Sequence, residues 1–362
     1  MSSVQSSNTA LLLALPLAIA TLSAFYYYKK YYAPQSSKKS NSDSIIRVGK
    51  IIIYPIKSCQ GIEVKRANID KYGIINDRRW MLHHEGRFMS QRTTPKMANI
   101  GVAFNADETE LIVRMEGMED LVVPVLDENR LVIDSAVWKD DVKALDCGDT
   151  AGEWFTRALG KDGIRLLQVP PPSVYHRRVS TQWTKKLIVE DHNKEHVANP
   201  QQVTDQEYDQ FQQAFVDSSQ VMMLSQASID DLNIHITETR KKNKEEQKPN
   251  LTHKRFRPNL LLVGTDAYEE DSYDIVRVGG MIFRKVNRVA RCKLTTVADE
   301  KGVLDPYGDN EPLRTLGSYR KIGNGLFLGT HFVHDDPDQG ELCVGDRVDV
   351  IRSSKPWVEL DK

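Results

Sequence analysis

The segment Arg288-Val289-Ala290-Arg291-Cys292-Lys293-Leu294-Thr295-Thr296 places a cysteine between two cations. Cationic neighbours favour the thiolate, which is the form that ligates soft metals or attacks electrophiles. The competing reading is an inert thiol buried among strand-forming residues. Three further cations fall at element ends rather than along helix faces: Lys57 in Tyr54-Pro55-Ile56-Lys57-Ser58, Arg78 in Asn76-Asp77-Arg78-Arg79-Trp80, and Arg257 in Arg255-Phe256-Arg257-Pro258-Asn259. Positions of this kind can converge on a phosphate, although each taken alone reads as a surface charge. Lys57 supplies a point charge, Arg78 and Arg257 supply planar forks for oxygen pairs, and Ser58 and Asn259 supply neutral hydrogen bonds. Asp217-Ser218-Ser219 offers hydroxyls and turn amides that can take an anion, or else forms a simple Asx or Ser turn. Together these groups suit a soft metal held by Cys292 with a phosphate-bearing group clamped nearby.

The elements that must position them are mostly short β-type runs: Ile45 to Tyr54, Leu111 to Met115, Leu121 to Leu126, Leu131 to Ile133 and Arg165 to Val169. Trp154, Phe155, Ala158 and Leu159 form one apolar stripe and predict a short helix over Gly152 to Leu159. Pro170-Pro171-Pro172 and the polar stretch Ser173 to Gln202 predict a long surface connection, with a domain boundary near residue 165. Thr204-Asp205-Gln206-Glu207 matches a capping box and predicts a helix from Asp205 carrying Tyr208, Phe211 and Phe215 on one face. A second helix is expected over Ala227 to Ile236. Thr239 to Lys254 is charged enough to read as an exposed loop, with Arg240-Lys241-Lys242 solvated. Strands return at Asn259 to Val263, Asp274 to Val278, Met281 to Val286, Leu326 to Val333 and Arg347 to Ile351, and Val278-Gly279-Gly280-Met281 reads as a two-residue hairpin turn. The fold class expected is a β-rich α+β protein with a barrel-like or sandwich core.

With 362 residues, 27% charged and 40% hydrophobic, the chain can fold as two domains. Its net charge of −1 gives no footprint for nucleic acid. There is no G-x-x-x-x-G-K-[ST] and no G-x-G-x-x-G to cradle a nucleotide. The four cysteines form no C-x-x-C pair and suggest a reducing compartment, while most of the nine histidines read as surface residues. Residues 10–28 (ALLLALPLAIATLSAFYYY) carry no charge and would span about 28 Å as a helix, close to a bilayer core. Lys29, Lys30, Lys38 and Lys39 follow this run and no Lys or Arg precedes it, which favours a retained single-pass anchor over a cleaved signal and places the bulk of the chain in the cytosol. Ala33 to Asp43 reads as a tether.

Tyr54-Pro55-Ile56-Lys57-Ser58-Cys59-Gln60-Gly61, Asp77-Arg78-Arg79-Trp80, Arg255-Phe256-Arg257-Pro258-Asn259, Glu270-Asp271-Ser272-Tyr273 and Arg291-Cys292-Lys293-Leu294-Thr295-Thr296 together resemble the MOSC domain family, most of all its mitochondrial amidoxime-reducing branch. The resemblance runs from about Arg47 to Ile351. It implies a MOSC N-terminal β-barrel domain over 44–165 and a barrel-like MOSC domain over 166–354. Residues 1–43 would be membrane anchor and tether, and 355–362 a tail. It also implies the molybdenum cofactor (Mo-molybdopterin) bound between the domains. Cys292 would be a permanent molybdenum ligand rather than a nucleophile. Lys57, Ser58, Arg78, Ser218, Ser219, Arg257, Asn259 and Arg291 would hold the pterin and its phosphate, and Asp217 is the candidate for handling protons.

The activity implied is reduction of N-hydroxylated compounds (amidoximes, hydroxylamines and N-hydroxylated bases), with electrons from NADH through NADH-cytochrome b5 reductase and cytochrome b5, at the mitochondrial outer membrane. The alternative within the family is a module for carrying or sulfurating the cofactor; outside it stands a non-catalytic tethered β-domain. Two positions depart from relatives: Ala290 stands where they have Ser, and His331 where they have Tyr. A histidine can still donate to phosphate, so His331 stays among the cofactor-binding candidates.

Overall fold

The structure is a computed structural model and describes residues 45–127, 129–179, 211–298, 301–335 and 340–354. The expected anchor at 10–28, the capping box at 204–207 and the C-terminal tail lie outside the described residues. Among the described residues no helix is long and apolar enough to cross a membrane.

A nine-stranded sheet organises the larger part of the molecule. Its order is Ile62–Val64, Arg47–Ile53, Leu260–Val263, Val221–Ser225, Gly325–His334, Met281–Ala290, Tyr273–Val278 and Val348–Ser353, with Lys321–Ile322 paired off the Gly325–His334 strand. Val221–Ser225 lies inside this sheet and every one of its residues is buried, as its unbroken Val-Met-Met-Leu run requires. It pairs in parallel with Leu260–Val263, and the connection between them contains the helix Gln226–Asn243. Ser225 caps that helix by accepting the Ser228 amide at 3.0 Å, and Lys244 ends it at φ 59°. Ile229, Leu232 and Ile236 bury one helix face with Leu224, Leu261 and Leu328 of the sheet.

Residues 80–168 contribute a five-stranded sheet, ordered Val132–Val137, Asp140–Asp146, Arg165–Gln168, Trp80–His84 and Arg87–Phe88, and a three-stranded sheet, Gly101–Phe104, Glu110–Arg114 and Leu121–Pro124. The helix Asp149–Leu159 drives Trp154, Phe155 and Ala158 into the same apolar cluster as Trp80, Leu82, Leu111 and Val113. Each such large side chain contributes about 1.5–3 kcal/mol by leaving water. The architecture is thus β-rich α+β, as expected, but no closed barrel occurs among the described residues. The nine-stranded sheet curls until Arg47 meets Arg347 in a single antiparallel bridge, which falls short of a paired strand ladder.

Several local expectations are corrected. Phe211 and Phe215 do not share a helix: Gln212–Gln213 between them is a short strand paired with Arg177–Arg178, and both rings are buried by tertiary packing instead. The second helix continues past Ile236 to Asn243, through residues expected to form a loop. Arg240 is not solvated but buried in an ion pair with Asp309. His253 and His334 are buried as well, and His334 Nε2 lies 2.9 Å from the Asp70 carbonyl. The Gly279-Gly280 turn is present as expected, closed by the Val278–Met281 pair, with Gly279 at φ 57°.

Candidate functional site

All the residues singled out as binding or catalytic, from Lys57 and Ser58 to Cys292 and His331, line one cavity of about 1440 Å³. They arrive from separate elements. Lys57 and Ser58 follow the Arg47–Ile53 strand, Arg78 precedes Trp80–His84, Asp217 to Ser219 precede Val221–Ser225, and Arg257 follows a short helical turn at His253–Phe256. Arg291 and Cys292 follow Met281–Ala290, and His331 projects from the neighbouring Gly325–His334 strand.

The cavity concentrates both cations and backbone strain. Ser58, Arg78 and Arg257 hold φ values of 68°, 48° and 57°, a region that favours glycine. Side chains kept there cost on the order of 1–3 kcal/mol each and are tolerated where the surroundings over-determine them. The Arg78 amide donates to the Tyr54 carbonyl at 2.8 Å, and the Arg257 amide to the His253 carbonyl at 2.9 Å. Tyr54 also positions the side chains, because the Arg78 and Arg257 guanidiniums lie 4.3 Å and 4.1 Å from its ring centroid. Asp77 completes the mount by accepting from Arg78 at 2.6 Å and from the Tyr54 amide at 2.8 Å. Neither Tyr54 nor Asp77 was marked as a positioning residue by sequence reasoning, although each stands inside a motif that was.

Cys292 is exposed to the cavity rather than buried, so the inert-thiol reading fails on geometry. Its main chain is fixed while its thiol is not: the Cys292 carbonyl accepts the Thr295 amide at 3.0 Å and hydroxyl at 2.9 Å. Cys59 is the contrast, since burial pushes its thiol up to about 12 against the pull of Arg257. Arg291 is half-buried; its loss of hydration draws it down to about 10, and its guanidinium donates to the carbonyls of Leu328 at 2.8 Å and Phe256 at 3.1 Å. Lys293 is exposed and does not line the cavity.

Lys57 is buried and donates to the Phe215 carbonyl at 2.9 Å and to Asp217. Burial lowers it to about 8 although Asp217 opposes the shift. Asp217 loses hydration there, yet Lys57 and the Trp138 indole N–H, 2.8 Å away, hold its carboxyl well below the usual range. Asp217 is therefore a carboxylate at neutral pH and can accept a proton but has none to give. Burial, with Arg291 adding repulsion, pushes His331 down to about 3, so it is a neutral imidazole whose Nδ1 lies 2.9 Å from Asn287 Oδ1. Two expected donors are engaged elsewhere. Asn259 bonds the Met222 amide and the Ile52 carbonyl, and the Ser219 hydroxyl donates to the Phe332 carbonyl at 2.6 Å, so both brace the strands beneath the cavity.

Residues 45–162 match the MOSC N-terminal beta barrel domain, and residues 210–349 match the MOSC domain. Mitochondrial amidoxime reducing component 2 of Bos taurus is 32% identical over 281 residues, which cover 75% of this chain and 72% of that protein. The chain belongs to the MOSC family of amidoxime-reducing components. Mitochondrial amidoxime-reducing component 1 of Homo sapiens is 29% identical over 315 residues, covering 83% of this chain and 82% of that one. A molybdenum cofactor sulfurase of Oryza sativa subsp. japonica is 27% identical over 311 residues, covering 84% of this chain but 34% of that protein.

For a MOSC protein the donor set fits a phosphate-bearing cofactor with a soft metal. No group of three or more His, Cys, Asp or Glu able to hold a metal occurs among the described residues. Lys57, Arg78 and Arg257 are among the cations that line the cavity and could hold a phosphate. Ala290 lines the cavity and brings no hydrogen-bonding side chain to it.

Proposed function

We propose that this MOSC protein is a molybdenum-cofactor oxidoreductase that reduces N-hydroxylated compounds. The observation that carries the proposal is the exposed Cys292 facing the same cavity as Lys57, Arg78, Arg257 and Arg291. For an amidoxime the reaction is RC(NH2)=NOH + 2e− + 2H+ → RC(NH2)=NH + H2O. The bound cofactor supplies the two-electron chemistry that breaks the N–O bond.

The chain supplies placement and charge. Cys292 holds the metal, Lys57, Arg78 and Arg257 clamp the phosphate, and Arg291, locked onto main-chain carbonyls, fixes the strand end that carries Cys292. At neutral pH the Lys57 ammonium carries a transferable proton and Asp217 holds it in place, so Lys57 is the better proton donor of the pair. His331, neutral and paired with Asn287, presents an uncharged ring to the ligand.

Electrons are proposed to come from NADH through cytochrome b5 reductase and cytochrome b5. Residues 10–28 are proposed as a single-pass anchor in the mitochondrial outer membrane, with the catalytic part in the cytosol. The relatives' names support a mitochondrial site, and the lysines after residue 28 support the orientation.

The test is reduction of benzamidoxime by the full chain with cytochrome b5, its reductase and NADH, alongside molybdenum analysis. Turnover with one molybdenum per chain, both lost in Cys292→Ala, is expected. Full molybdenum occupancy without N–O reduction would instead favour cofactor carriage, the reading that the sulfurase match represents.

A further inference from the structure

One wall of the cavity is built by residues that the cysteine segment and the phosphate clamp leave unexplained. Trp138 and Lys139 form the two-residue turn between Val132–Val137 and Asp140–Asp146, closed by the Val137–Asp140 pair. Trp138 has φ 60° at the first central position, where such hairpins favour glycine. A bulky aromatic side chain in that conformation is strained, and strain of this kind gathers at functional sites. The turn delivers an indole that is 41% exposed into the cavity wall.

Three contacts orient the ring. Its Nε1 donates to Asp217 at 2.8 Å, Phe88 packs edge-on with centroids 5.0 Å apart, and the Arg92 guanidinium carbon lies 3.9 Å from the ring centroid. Arg92 lines the same cavity, and among the described residues its guanidinium makes no ion pair or hydrogen bond. Stacking occupies the face of a guanidinium and leaves its in-plane N–H fork available, a geometry that matches a carboxylate or phosphate two bonds at a time. Arg78 and Arg291, by contrast, are already bonded to Asp77 and to main-chain carbonyls. The cavity, at about 1440 Å³, exceeds the roughly 300–1,000 Å³ of a pocket for one small molecule, so a second ligand has room beside a group at Cys292.

We propose that the Arg92–Trp138 stack is a substrate subsite that selects planar N-hydroxylated compounds bearing an anionic group, with Arg92 pairing a carboxylate or phosphate and Trp138 packing against the planar body. The inference takes its substrate class from the reductase reading above, but binding at the subsite can be measured without turnover.

The test uses the full chain loaded with cofactor and two matched probe pairs: benzamidoxime with 4-carboxybenzamidoxime, and an N-hydroxylated nucleoside with its 5′-monophosphate. Binding constants come from tryptophan quenching without reductant, and KM and kcat are measured separately with reductant. The anionic member of at least one pair is expected to bind about ten- to a hundredfold more tightly, as a charge-assisted pair allows. That preference is expected to fall at least tenfold in Arg92→Ala, to survive in part in Arg92→Lys, and to move KM rather than kcat. Trp138→Leu is expected to weaken it too and to add little to Arg92→Ala, because the two side chains act as a unit. The pair that shows the preference identifies carboxylate or phosphate as the group recognised.

An equal preference in Arg92→Ala and wild type overturns the subsite. So does loss of cofactor from Arg92→Ala and Arg92→Lys, read as pterin fluorescence after acid release, because Arg92 would then belong to the cofactor clamp. Turnover of neutral probes with no anion preference refutes the subsite alone. Arg92-dependent binding without turnover of any probe upholds the subsite and refutes the reductase reading.

Discussion

Asp217→Asn separates two roles for this carboxylate. As a charge partner it stabilises the Lys57 ammonium; as the proton handler it takes part in every turnover. Lys57 is buried, but the Asp217 side chain is 56% exposed, so the pair lies nearer the surface value of about 1 kcal/mol than the 3–5 kcal/mol of a fully buried pair. One kcal/mol is a little under one pH unit, so the substitution should lower the Lys57 midpoint from about 8 to about 7. The assay is the pH profile of turnover and of cofactor retention in both proteins. Wild type should lose both as pH rises through about 8, and the variant about one unit earlier, with near-normal turnover well below the midpoint. A uniform loss of about 10²-fold or more at every pH, with the midpoint unmoved, would show Asp217 in the proton path and refute the charge-partner account.

Tyr54→Leu removes the ring on which Arg78 and Arg257 stack and should cut cofactor retention about tenfold or more while the fold persists, read as pterin per chain beside the melting temperature. Phe155→Ala empties a fully buried site in the cluster around Trp80 and Leu82 and should cost about 3–5 kcal/mol in denaturant unfolding, without moving the absorption spectrum of the bound cofactor. His331 should show no titration between pH 5 and 8 by NMR, because burial holds it near 3; a midpoint near the ordinary 6.5 would contradict the neutral imidazole. Lys57→Met should flatten the rise in stability that this residue causes between pH 8 and 10.5, the window in which the unfolded chain keeps a proton the folded chain has lost.

Strands with a strong β pattern, such as Asn259 to Val263 and Asp274 to Val278, were legible because burial on a sheet imposes alternation or an apolar run on the residues themselves. The Gly279-Gly280 turn was legible because only certain residues accept its backbone. Phe211 and Phe215 misled, since helical spacing is also met by chance when two rings are buried from bends on either side of a short strand. The Gln226–Asn243 helix was cut short because charge looked like solvent exposure, whereas Arg240 is buried against Asp309, some seventy residues away. The cations of the site were legible from their type and from the breaks around them. Tyr54, Asp77, Trp138, Asn287 and Arg92 were not, because what each contributes is a contact across the fold. The weak signal that could have found Trp138 is an aromatic residue at the tip of a hairpin, exposed where a glycine or asparagine is usual.

Cys292 is proposed as the protein's ligand to the metal. Molybdenum-edge X-ray absorption on the cofactor-loaded full chain tests this most directly when wild type is compared with Cys292→Ser. One sulfur neighbour should disappear from the metal's first coordination shell and an oxygen neighbour should take its place. An unchanged sulfur count with molybdenum still bound would show that the thiol does not hold the metal.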